Sequence, residues 1–107
     1  MHPIADKAEI AVEFPDKLYM GQFGSHSSFD AGTEADGVLI RLSQGGPEKR
    51  EAQIHLHYLL FADIIEEIGR ALAKDRTIDV PHRERLQVAA RSLAAALDAP
   101  PAATEAT

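Results

Sequence analysis

Apolar and polar side chains alternate with period two from Ala8 to Phe14, so Ala8, Ile10, Val12 and Phe14 share one face of a strand. Pro15-Asp16 then predicts a turn, because proline presets φ for its first central position and aspartate tolerates the next. A second strand follows over 18–23, with Leu18 and Met20 expected inward and Tyr19 and Phe23 outward. From Gly24 to Gly37 the serines, aspartates and glycines predict a long loop, with Phe29 pinning it to the core or extending the second strand. Val38, Ile40 and Leu42 mark a third strand, and Gln44-Gly45-Gly46-Pro47-Glu48 is a hairpin signal. On the returning strand, about Arg50 to Tyr58, Ala52, Ile54, Leu56 and Tyr58 face inward, and Glu51, Gln53, His55 and His57 outward.

The period then changes to that of a helix. Phe61, Ile64, Ile65, Ile68 and Leu72 form an apolar stripe opposite Asp63, Glu66, Glu67 and Arg70. After a connector at Asp75–Asp79, Pro81 suits the first turn of a second helix, whose narrower stripe is Leu86, Ala90, Leu93 and Leu97. Pro100-Pro101 ends it. The expected architecture is α+β, ββββαα: a four-stranded antiparallel sheet followed by two helices packed on one face as a second layer. Residues 1–99 form a single domain and 100–107 a disordered C-terminal tail.

Composition narrows the classes of function. A chain of 107 residues, 45% hydrophobic and 26% charged, is long enough for one core and ordinary for a folded protein. It has no cysteine, which excludes disulfides and thiolate metal sites, and no apolar run long enough to span a bilayer. The start, Met1-His2-Pro3-Ile4, lacks the pattern of a signal peptide, so a cytoplasmic location is expected. The net charge of −6 opposes binding to phosphate backbones or membrane surfaces. That charge is uneven. Six of the eleven Lys and Arg lie between Gly69 and Leu97, which leaves weak nucleic-acid binding through the C-terminal helical region as one reading. Glu84 interrupts that set, and Arg83, Arg85 and Arg91 do not fall on one stripe.

Among candidate chemical groups, His55 and His57 carry the sharpest local pattern. Two imidazoles at i and i+2 of a strand point the same way, about 6–7 Å apart, as two ligands of one metal ion must. His26 is a candidate third ligand, and Asp30, Glu51 and Asp36 are candidate carboxylates for zinc or another divalent metal. Without a metal, the pair is simply two exposed histidines on an outer strand. Gln53–Leu59 superficially resembles the histidine-triad nucleotide hydrolases, which set alternating histidines on a strand. Leu59 stands where that pattern needs its nucleophilic histidine, and a leucine cannot attack a phosphate, so the resemblance ends there. Ser25, Ser27 and Ser28 lack a nucleophile elbow, 21–25 lacks a phosphate loop's lysine, and 30–36 lacks a calcium-loop register.

The outward phase also places Tyr19, Phe23, Leu39 and Arg41 together as an interaction surface beside the two histidines. On these grounds the expected role is a non-enzymatic interaction or regulatory module, acting as a homodimer through its open sheet face or edge. A related expectation is an acidic regulator that docks on a basic protein surface. The competing one is a metal- or ligand-binding protein, or small metal-dependent enzyme, built on His55 and His57.

Overall fold

The computed structural model describes residues 1–100, and the tail expected at 100–107 lies almost wholly outside them. The chain is α+β and divides into two compact units, Met1–Gly69 and Arg70–Thr107. Six strands come first: β1 (His2–Pro3), β2 (Ala8–Phe14), β3 (Lys17–Phe23), β4 (Ser27–Glu34), β5 (Gly37–Gln44) and β6 (Arg50–His57). Helices α1 (Tyr58–Lys74) and α2 (Val80–Asp98) follow. No helix of the described residues is long and apolar enough to cross a membrane.

The four-stranded antiparallel sheet has the order β1-β4-β5-β6, and β2 and β3 pair separately as a ribbon. The region 24–37, expected to be a loop, is therefore mostly strand. Its period-two signal is Ser27, Phe29, Ala31 and Thr33, which the register places opposite Gln44, Leu42, Ile40 and Val38. Small and polar residues disguise the alternation, but eight consecutive partners on β5 supply the backbone hydrogen bonds that local composition did not promise. Ser27 sets its start: the Gly24 N–H donates to Ser27 Oγ at 3.1 Å, and Ser27 Oγ donates to Gln44 Oε1 at 3.3 Å.

Phase on β5 and β6 is as expected. Val38, Ile40 and Leu42 lie opposite Leu56, Ile54 and Ala52 on one face, and Leu39 lies opposite His55 on the other. The β5–β6 hairpin turns at Gly46, whose φ of 88° is the left-handed conformation that glycine adopts without a Cβ clash. Phase on β3 is reversed. With only Pro15 and Asp16 between the strands, Phe14 must pair with Lys17, which sets Val12 opposite Tyr19 and Ala8 opposite Phe23. Tyr19 and Phe23 thus join the face of Ile10, Val12 and Phe14, while Leu18 and Met20 share the other with Glu13 and Ala11. Phe23, expected outward, is the one buried hydrophobic side chain among the described residues, at 2% exposure.

Both helices begin and end close to their predicted limits. Tyr58 is the exception, since it opens α1 instead of closing β6. Its hydroxyl donates to the Glu34 carbonyl at 3.0 Å and its N–H to the Asp36 carbonyl at 3.2 Å, tying the helix start to the β4–β5 hairpin. In the second unit Asp79 caps α2 by accepting from the His82 N–H at 3.0 Å, with Pro81 in the first turn. Arg83 Nη2 donates to the Asp75 carbonyl at 2.6 Å, which gives one of the basic side chains a structural task. Neither helix contains a buried residue.

Candidate functional site

The β4–β5 hairpin and the end of β6 bring three ligand-type side chains together. Glu34 pairs with Gly37, so the turn is Ala35-Asp36, and Gly37 in turn pairs with His57 at the last position of β6. Asp36 therefore stands above the strand end from which His55 and His57 project on one face. Its Oδ1 is 3.1 Å from His55 Nε2, and its Oδ2 is 3.7 Å from His57 Nε2. The imidazole centroids are 5.0 Å apart with the rings inclined by 40°.

Two features hold this corner in register. Tyr58 anchors the hairpin by the two hydrogen bonds described above. Gly37 lets the hairpin approach β6 closely: a Cβ at that position would overlap the carbonyl of Leu56. Asp36-Gly37 reads in the sequence only as loop chemistry; in the fold Asp36 closes the Ala35-Asp36 turn and Gly37 opens β5. Asp36 had stood only as one of three loose carboxylate candidates.

His26 does not join this group. It precedes Ser27, which pairs with Gln44 at the opposite end of β5, roughly 23 Å from Gly37 at about 3.3 Å per residue. There it lines a shallow pocket with Gln44, Gly45, Gly46, Pro47 and Glu48. Asp30 and Glu51 are not in the three-residue cluster either. All three members of that cluster are exposed, so their mutual contacts alone contribute little to stability.

The four residues expected to form one interaction surface lie on two strands. Tyr19 and Phe23 belong to β3 of the ribbon, and Leu39 and Arg41 to β5 of the sheet, on the face of His55 and Gln53. Arg41 Nε is shielded from solvent, and its carboxylate neighbour, Glu51 Oε2, stands at 3.8 Å. An apolar groove of about 350 Å³ runs between the ribbon and β6, lined chiefly by Ile10, Val12, Tyr19, Phe23 and Ile54. Reading Ile10, Val12 and Ile54 as core hid that groove. The short turn at Pro15-Asp16, which dictates the ribbon register, was the signal for it.

Exposed apolar side chains extend well beyond the groove. On the ribbon, Val12, Phe14, Leu18, Tyr19 and Met20 are exposed, Met20 at 76%. On α1, Leu59, Leu60, Ile65 and Ile68 are exposed, Leu59 at 84%. Comparison of the chain with protein-family models, with curated proteins and with solved structures finds no match in any of the three.

Proposed function

We propose that this chain is a non-enzymatic interaction module that self-associates, a second copy covering the groove between β2–β3 and β6 and the apolar side of α1. One observation carries this reading: Phe23 alone among the hydrophobic side chains of the described residues is buried. Amphipathic helices owe most of their stability in water to packing of the apolar face, and a chain of this size needs a core. The side chains that would supply that core are present and exposed.

A second copy is the occupant that meets these needs with nothing added. Each copy carries an unfilled groove and an uncovered helix stripe, so a two-fold arrangement satisfies both at once. Strand β6 is also a sheet edge beside the groove, open to pairing. The absence of cysteine suits a cytoplasmic setting for this association.

Sedimentation velocity over a range of protein concentrations tests the proposal. The expected result is a dimer or larger species at micromolar concentration, shifted toward monomer by Val12→Lys in the groove and by Ile68→Glu on α1. A folded chain that stays monomeric at high micromolar concentration overturns it.

A further inference from the structure

We infer that Asp36, His55 and His57 form a binding site for a single first-row divalent cation of the zinc class. The ligand atoms of the three side chains all lie within 4.8 Å of one another. Tetrahedral zinc, with bonds of about 2.0–2.1 Å to nitrogen and oxygen, sets its ligands roughly 3.3 Å apart. The 3.1 Å and 3.7 Å separations between the carboxylate oxygens and the two Nε2 atoms bracket that value. Small rotations of exposed side chains are enough to seat the ion.

The donor set selects the metal class. Two imidazole nitrogens with one carboxylate suit zinc and its first-row neighbours, whereas calcium and magnesium call for shells built of oxygen. Three protein ligands leave a fourth position open to water or to an incoming group, as in zinc sites that do more than brace a fold.

The scaffold holds the ligands without help from the ion. His55 and His57 are two apart on β6, which fixes their common direction. Asp36 is positioned by a two-residue turn whose carbonyl accepts from the Tyr58 N–H, and by the close approach of Gly37 to Leu56. A preorganised set of this kind loses less side-chain freedom on binding than ligands gathered from flexible loops. His82 and Asp79 also touch, at 2.6 Å, but they are a pair at the start of α2 with no third ligand in reach among the described residues, and they serve as an internal control.

The test uses the full chain purified without a histidine tag, stripped with a chelator and titrated with zinc alone by calorimetry. Cobalt is then titrated in its place, and its visible ligand-field bands report nitrogen and oxygen coordination. One ion per chain is expected. His55→Gln with His57→Gln abolishes binding, and Asp36→Asn weakens it ten-fold or more. His26→Gln and His82→Gln leave it unchanged. Far-ultraviolet circular dichroism confirms that each variant is folded; if the double variant is not, Asp36→Asn and single His57→Gln decide the matter. Val12→Lys, made to disturb self-association, should bind zinc as the parent does, so failure of one proposal is distinguishable from failure of the other. No binding at millimolar zinc, or binding that survives in the folded double variant, overturns the assignment.

Discussion

Gly37 lies so close to the backbone of Leu56 that a side chain at position 37 would overlap the Leu56 carbonyl. The need for glycine here comes from proximity, since the one positive φ among the described glycines is at Gly46. The obstacle to a Cβ is backbone, which yields less readily than the end of a flexible side chain. Gly37→Ala should therefore destabilise the chain by about 3 kcal/mol, the upper part of the usual range for overpacking. Urea denaturation measures this; an unchanged midpoint contradicts the packing described for β5 and β6.

The reversed phase of β3 makes a prediction that separates two adjacent-looking apolar residues. Phe23→Ala removes the one buried hydrophobic side chain and should cost about 3 kcal/mol, the lower bound for a core aromatic. Leu18→Ala, at an exposed position on the other face of the ribbon, should cost less than about 0.5 kcal/mol as long as no partner covers it. Denaturation curves of the two variants at low protein concentration decide between the observed register and the opposite one.

Acidification should unravel the start of α2. The Thr77 hydroxyl and then its N–H, both donating to Asp75 Oδ1, hold the Asp75 carboxyl below its usual 3.8. The His82 N–H and then its ring do the same for Asp79. A carboxyl whose pKa is lower folded than unfolded contributes its full stabilisation above the unfolded value and loses it as pH falls through the folded one. Helicity should thus be level down to about pH 4 and decline below it. Asp79→Asn keeps a capping oxygen but cannot titrate, so its helicity should fall less in that window. Circular dichroism against pH reads both chains; identical acid profiles refute the role given to Asp79.

If a second copy covers the apolar surface, stability must depend on protein concentration. The midpoint of thermal unfolding should rise as the chain is concentrated. Ile68→Lys, on the exposed apolar stripe of α1, should lower the midpoint at high concentration and hardly alter it at low. Scanning calorimetry at two widely separated concentrations checks this, and a concentration-independent midpoint would contradict self-association.

Much of the architecture was legible in local pattern. Alternation marked β2, β5 and β6, the Gly45-Gly46 turn marked the hairpin between the last two, and Pro81 and Pro100 bounded α2. The two histidines were legible as a pair because strand geometry alone aligns side chains two residues apart. Local period states which residues of one segment share a face. It does not state which segment lies alongside, or which face is covered. Those are long-range choices, made where backbone hydrogen bonds and apolar contacts are satisfied together. Pairing with β5 turned 27–34 from an expected loop into a strand, and the two-residue turn at Pro15-Asp16 carried Phe23 inward and Leu18 outward. The tertiary structure likewise chose Asp36 over His26 as the neighbour of His55 and His57, because the hairpin ends of an antiparallel sheet lie a full strand length apart.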